Sequence, residues 1–281
     1  MKTFNDPKKL QKWALAQRLA GKKIALVPTM GALHEGHLSL IETAKRKGAD
    51  EIVVSVFVNP VQFCPGEDYE KYPRDHKADA AKCRRAGATA IFFPTPENMY
   101  LDRHSVYINE EDLSKGLCGA RRPGHFRGVC TVVAKLFNLA HPNFAVFGQK
   151  DFQQSRIIKR MVRDLNFDLD IIVAPIVREP SGLARSSRNA YLSEKEKAMA
   201  LAISKGLRGL KGLRGLRGSR GLKPLKRLWK DLEAAGLKVD YIECVDAETL
   251  EPRKCVDKGS CVLVAAYCGK TRLIDNIIVR S

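Results

Sequence analysis

Residues 28–37 read Pro-Thr-Met-Gly-Ala-Leu-His-Glu-Gly-His, set between the apolar run Ile24-Ala25-Leu26-Val27 and the helix-compatible segment Leu38-Ser39-Leu40-Ile41-Glu42-Thr43-Ala44-Lys45. The order is strand, Gly-bearing turn, helix. A helix start leaves backbone N–H groups unpaired and carries partial positive charge, which suits a phosphate. Gly31 and Gly36 allow backbone to approach a ligand closely. His34 and His37 bring two imidazoles to the same place, and imidazole donates hydrogen bonds to phosphate oxygens. Taken alone, the pair reads equally as a solvated helix start or as half of a metal site. There is no Gly-x-x-x-x-Gly-Lys-Ser/Thr, and no Gly-x-Gly-x-x-Gly after a strand.

Outward from this stretch, apolar runs alternate with helical segments. Strands are expected at Ile24–Val27, Glu51–Val58, Thr89–Phe93, Phe144–Phe147 and Asp170–Ala174, dense in β-branched residues. Helices are expected at 5–20, Asp75–Ala86, Arg127–Leu139 and Phe152–Asp164. The alternation predicts an α/β fold: a Rossmann-like parallel sheet with helices on both faces, over residues 1–178. Residues 179–281 are expected to form a smaller α+β C-terminal domain. Its predicted elements are a helix over Leu225–Ala235 and strands at Val239–Val245, Cys261–Tyr267 and Thr271–Val279. Pro180 to Arg188 reads as a hinge or flexible loop. In parallel sheets ligands bind beyond the carboxyl ends of the strands.

His34-Glu35-Gly36-His37 resembles the His-x-Gly-His signature of the nucleotidyltransferase superfamily that includes class I aminoacyl-tRNA synthetases. With its flanks, Val27–His37 resembles one family within it, the pantoate–β-alanine ligases. Five further blocks resemble that family in its order: Val58-Asn59-Pro60-Val61-Gln62-Phe63, Tyr72-Pro73-Arg74, Gly124-His125-Phe126-Arg127-Gly128-Val129, Phe147-Gly148-Gln149-Lys150-Asp151-Phe152-Gln153-Gln154 and Ser186-Ser187-Arg188-Asn189. The blocks at 58–63 and 147–154 fall at the end of an expected strand, as does Val27–His37.

The resemblance implies that ATP, pantoate and β-alanine give pantothenate, AMP and pyrophosphate through a pantoyl adenylate. Pentavalent phosphorus gathers negative charge and needs donors. The catalytic candidates are His37, His34, Lys150, Ser186, Ser187 and Arg188. His37 matches the family's proposed proton donor, and a purely electrostatic role is the alternative. The ATP-binding set adds Pro28, Thr29, Met30, Gly31, Gly36, Gly148, Asp151, Val177 (through its backbone, to adenine) and Arg185. Asp151 either holds the ribose hydroxyls or caps the next helix. Gln62 and Gln154 are neutral groups suited to a carboxylate and hydroxyls, and their alternative is surface amides. Asn59, Tyr72 and His125 complete the pantoate and β-alanine set. Mg²⁺ is implied by ATP chemistry, bound mainly through phosphates rather than side chains. A homodimer is implied by the resemblance alone. Two positions depart from the family's pattern: Gln149 stands where Glu is usual, and Arg185 where Met or Leu is usual.

Composition narrows the class. With 281 residues, 44% hydrophobic and 28% charged, the chain has the profile of a soluble globular protein. No run of about 18 apolar residues is present, so no membrane span is expected. The N-terminal residues 1–9 lack an apolar signal core, which makes the cytoplasm the expected location. The eight cysteines include no Cys-x-x-Cys and are expected to be reduced packing residues. The net charge is +18, but residues 204–230 hold ten Lys or Arg and no acid, leaving +8 for the rest. That excess suits anionic ligands without requiring nucleic acid.

Within the basic stretch, Gly-Leu-Arg/Lys recurs over about 206–223. Each Gly costs a helix about 1 kcal/mol relative to Ala, and a period of three slips about 60° per triplet around an α-helix. The repeat is expected to be weakly ordered, or packed as a strained helix. Two rival readings are a nucleotidyltransferase that stops at AMP transfer and a basic nucleic-acid-binding protein that uses residues 204–230. The neutral Gln62/Gln154 pair favours the ligase.

Overall fold

The computed structural model describes residues 1–211 and 221–279. The chain forms two compact units, one of Met1–Gln149 with Gln154–Pro175, the other of Lys150–Gln153 with Ile176–Ser281.

The first unit holds strands β1 (Lys2–Phe4), β2 (Ile24–Thr29), β3 (Glu51–Val56), β4 (Ala90–Phe92), β5 (Phe144–Gly148) and β6 (Asp170–Ala174), with helices α1 (Pro7–Leu19), α2 (Glu35–Arg46), α3 (His76–Ala86), α4 (Pro96–Met99), α5 (Leu117–Arg121), α6 (His125–Ala140) and α7 (Phe152–Asp164). Every strand pair is parallel, in the order β1-β4-β3-β2-β5-β6. This is the expected α/β sheet with one strand more. β1 was not expected, because three residues beginning Lys-Thr carry no apolar run. Backbone pairing holds it, with Lys2 N–H donating to Thr89 O at 2.8 Å and Phe93 N–H to Phe4 O at 2.8 Å, and the Phe4 ring packs against Trp13 at 5.3 Å between centroids.

β2 is the pivot. Its residues Ile24, Ala25, Leu26 and Val27 are fully buried, as a strand covered on both faces requires. The strand order turns outward on either side of it, to β3 and to β5, which is where such sheets bind ligands. Helix ends follow local chemistry. Asp6 caps α1, accepting the Lys8 and Lys9 N–H groups, with Pro7 at the first helical position. α3 starts on Asp75, whose Oδ1 accepts the Ala78 N–H, and ends on Gly87 at φ 94°.

The second unit holds α8 (Glu194–Lys211), α9 (Lys223–Ala234) and the antiparallel strands β7 (Lys238–Asp246), β8 (Ser260–Cys268) and β9 (Thr271–Ile278), in the order β7-β8-β9. Its core includes Ile203, Leu207, Leu210, Leu228 and Leu232. The first two Gly-Leu-Arg/Lys triplets therefore continue α8 and bury both leucines. Gly206 is used, since a Cβ there would overlap Leu228. The triplets within 212–220 lie outside the described residues. All eight cysteines are free thiols. Among the described residues no helix is long and apolar enough to cross a membrane.

Candidate active site

The turn after β2 is built by hydrogen bonds from below. Thr29 Oγ1 donates to Ser55 O at 2.7 Å and accepts the Gly31 N–H at 3.3 Å. Gly31 sits at φ 88°, and a Cβ there would come within 3.0 Å of both Asp79 Oδ2 and Val56 Cγ1. Ala32 follows at φ 48°, a left-handed conformation that a non-glycine residue adopts only when its surroundings hold it there. Asp79 of α3 does so. It is 1% exposed, and its carboxylate accepts the Ala32 N–H at 3.0 Å and the Leu33 N–H at 2.8 Å. Lys82 Nζ, one turn on, donates to Leu33 O at 2.6 Å.

This frame delivers His34 as the N-cap of α2. His34 Nδ1 accepts the Gly36 N–H at 3.1 Å, and His37 Nδ1 accepts the His34 N–H at 3.3 Å. The rings stack with centroids 4.0 Å apart. A ring nitrogen that accepts a backbone N–H carries no proton, so each neutral imidazole holds its proton on Nε2. The helix start thereby presents two N–H donors of fixed tautomer together with its own positive dipole end. Met30, Gly31, His34, Gly36 and His37 all belong to this one feature, and Pro28 and Thr29 close the strand beneath it.

A second cluster surrounds the turn Pro60–Gln62, a short 3-10 helix capped by Asn59. Gln62 is 9% exposed. Its Oε1 accepts from Asn59 Nδ2 at 3.0 Å, and its Nε2 lies 3.2 Å from Met30 Sδ, which ties it to the first cluster. Gly128 of α6 permits a close approach. A Cβ there would lie 2.5 Å from Val61 O, 2.6 Å from Val61 C and 2.7 Å from Gln62 Cα. His125 is buried and pairs through Nδ1 with Gln62 O at 2.7 Å. Arg122 donates to His125 Nε2 at 2.9 Å and forms a bidentate pair with Glu67, both bonds at 2.6 Å. His125 therefore carries its proton on Nδ1 and holds the Gln62 backbone. Tyr72 is buried and packs edge-on to Phe63 at 6.2 Å. Gln154 stands half-buried in the first turn of α7.

Burial pushes the Glu67 carboxyl up, but the Arg122 hydrogen bonds and charge outweigh it and the net direction is down. The stabilisation from this pair is thus complete above the ordinary carboxylate range and is lost as pH falls through the lowered value. Glu67→Gln should destabilise the fold by about 1–3 kcal/mol at neutral pH, with the difference from wild type shrinking below about pH 4. Urea titrations across pH 3–7 would show this, and a pH-independent difference would refute it. Burial and the Glu67 charge also push the Cys64 thiol up, which favours its protonated form.

In the second unit, residues 178–189, which include the expected hinge or flexible loop Pro180–Arg188, form a turn with several internal hydrogen bonds. Arg178 and Ala184 form a bridge, Glu179 N–H donates to Leu183 O at 2.8 Å, and Arg185 N–H donates to Val177 O at 3.0 Å. Arg178 clamps Asp275, itself 4% exposed, with bonds of 2.6 and 2.9 Å. Arg185 pairs with Glu179 at 3.4 Å, and Asn189 Nδ2 donates to the same carboxylate at 2.9 Å. Ser186 caps the short 3-10 helix Ser187–Tyr191 through the Arg188 N–H. Lys150 Nζ lies 4.0 Å from Asp151 Oδ1, and Lys150 O accepts from Asn276 Nδ2 at 3.0 Å. At the other departure from the family pattern, the Gln149 N–H donates to Ala174 O at 2.8 Å and extends the sheet ladder beyond Gly148.

Sequence reasoning missed Asp79, Lys82, Glu67 and Arg122, the residues that hold the two turns. The one trace they leave is an Asp on the otherwise apolar face of α3, beside Cys83 at i+4.

Comparison with known proteins gives a consistent picture. A family model described as pantoate-beta-alanine ligase matches residues 2–278. The pantothenate synthetase of Myxococcus xanthus is 53% identical over 280 residues, covering 99% of this chain and 94% of that protein. The crystal structure of pantothenate synthetase from Thermus thermophilus superposes with a TM-score of 0.93 at 41% identity, covering all of both chains. The pantoate-beta-alanine ligase of Francisella tularensis, solved with beta-gamma ATP and beta-alanine, superposes with a TM-score of 0.84 at 34% identity over 99% of this chain and 97% of that one.

Proposed function

The chain belongs to the pantoate–β-alanine ligase family, and from that membership we infer how its own residues divide the work. It is an ATP-dependent ligase that joins pantoate to β-alanine in the biosynthesis of pantothenate. We propose a two-step course. A pantoate carboxylate oxygen attacks the α-phosphorus of ATP, the α–β P–O bond breaks and pyrophosphate leaves. The β-alanine amine then attacks the acyl carbon of the adenylate, the C–O bond to AMP breaks and the nitrogen loses a proton. Activation is needed because oxide is a poor leaving group and AMP a good one.

The arrangement of His34 and His37 carries the assignment. Two imidazoles with their protons on Nε2 at a helix start form a preorganised donor pair for charge developing on phosphorus. Met30, Gly31 and Gly36 let the phosphates approach the backbone, over the Pro28–Thr29 strand end. Gly148, Lys150 and Asp151 serve the phosphates and ribose, and Val177 meets adenine through its backbone. Ser186, Ser187 and Arg188 add donors to the phosphates. Arg185, engaged by Glu179, braces that loop. Gln62 and Gln154 bind pantoate. Asn59, Tyr72 and His125 shape its pocket from buried positions.

We further propose that ATP is used with Mg²⁺, in a homodimer, in the cytoplasm. The ion would be carried mainly on the phosphates, since Mg²⁺ keeps much of its water and takes few protein ligands. Its chemistry would be to offset phosphate charge. Activity indifferent to chelator, or a single-chain mass in sedimentation, would remove the ion or the dimer.

Pyrophosphate release tests the function. It should require ATP and pantoate together, while AMP release with amide formation should require β-alanine as well. Pyrophosphate release indifferent to pantoate would overturn the course proposed.

A further inference from the structure

Asn59 is 1% exposed, and its amide orientation is dictated by groups that cannot exchange roles. Its Nδ2 faces the carbonyl of Gly128 at 3.2 Å, which can only accept, and its Oδ1 faces the Val61 N–H at 3.4 Å, which can only donate. The same Nδ2 donates to Gln62 Oε1. The Gln62 oxygen is therefore consumed inward, and the group it turns toward Met30 is its NH₂. A donor at that place matches an acceptor-only ligand group, such as an ionised carboxylate.

The hold on Asn59 Oδ1 is uneven. The Val61 bond is long, whereas Tyr100 Oη donates to Oδ1 at 2.7 Å. Tyr100 lies 41 residues from Asn59, just past α4, in no motif of the chain. Its ring is seated independently of the hydroxyl, beside Phe57 at 6.4 Å and His104 at 5.0 Å between centroids, with Lys135 Nζ over it at 5.6 Å. Burial pushes the Tyr100 hydroxyl far up, so it remains a donor.

We propose that Tyr100 is a positioning residue for the pantoate site. Its hydroxyl locks Asn59, and through Asn59 it fixes the amide of Gln62 with the donor face toward the substrate acid. The proposal rests on the reading of Gln62 as a pantoate contact. Without the hydroxyl, Asn59 Oδ1 keeps one long bond in a buried place, and the Asn59–Gln62 pair is held less firmly.

Tyr100→Phe keeps the ring and tests this. The KM for pantoate should rise about tenfold, while the KM for ATP and kcat at saturating pantoate stay within about twofold. Loss of general packing would instead move all three together. Gln62→Ala should also raise the pantoate KM, and adding Tyr100→Phe to it should change nothing further, since the two act through one path. An unchanged pantoate KM in Tyr100→Phe, a parallel rise in the ATP KM, or additive effects in the double variant would each overturn the proposal. If Gln62→Ala raises the pantoate KM and Tyr100→Phe does not, only the role of Tyr100 falls. If Gln62→Ala itself leaves the pantoate KM unchanged, the underlying reading of Gln62 falls, and the proposal with it.

Discussion

His37→Ala should lower kcat by about a hundredfold or more, the usual scale for removing a preorganised donor or acid at a reacting centre. The fold should survive. What the structure loses includes the stack on His34 and one acceptor at a helix start, the His37 Nδ1 that receives the His34 N–H, the latter worth about 1 kcal/mol. For a chain of this size that is a fall of about 2–4 °C in Tm. The two effects are well separated, so a thermal melt beside a single-turnover rate of adenylate formation distinguishes chemistry from collapse. His37→Gln adds a second reading. It restores a hydrogen-bond donor without an acid, so recovery of most of the rate would favour the electrostatic role over proton donation. A wild-type rate in His37→Ala would remove His37 from the mechanism.

Gly128→Ala should damage the pantoate site with a single added methyl. Helix propensity alone favours it, by about 1 kcal/mol for Gly to Ala in a helix interior. Packing opposes it, because the new Cβ would meet Val61 O at 2.5 Å, Val61 C at 2.6 Å and Gln62 Cα at 2.7 Å. All three are backbone atoms, so no rotamer relieves the overlap. α6 and the Pro60–Gln62 turn must separate, at roughly 1–3 kcal/mol for overpacking. The turn carries Gln62, and a displacement near 1 Å costs about a hundredfold where geometry governs reactivity. The expected result is a fall in kcat/KM for pantoate of about tenfold to a hundredfold, with a lowered Tm. Unaltered pantoate kinetics would mean that the close contact does not place Gln62.

Much of the parallel sheet was legible because its strands are apolar on both faces and its helices begin on readable caps such as Asp75. β1 was not, since three residues at an edge have too little pattern. The histidine pair was legible as a motif, but its tautomers were not, because they depend on which ring nitrogen the backbone reaches. Residues that act from a distance left almost no trace. Tyr100 is 41 residues from Asn59, Arg122 is 55 from Glu67, and Asp79 is 47 from Ala32. Each pairing exists only once the sheet has assembled. Arg185 read from sequence as part of the ATP-binding set, and Glu179 gives it a structural partner. The glycine-rich triplets at 206–211 looked poor for a helix on propensity, which tertiary packing of Leu207 and Leu210 overrides.

Lys150–Gln153 join the compact unit of residues 176–281, although the chain on either side of them belongs to the other. The carbonyl of Lys150 receives the amide of Asn276, which is 2% exposed. A gene severed after Pro175 would thus yield a tail piece missing a buried acceptor and a head piece carrying four stranded residues. A cut that respects the second unit has to carry residues 150–153 with it, and a boundary drawn in sequence order alone divides that unit.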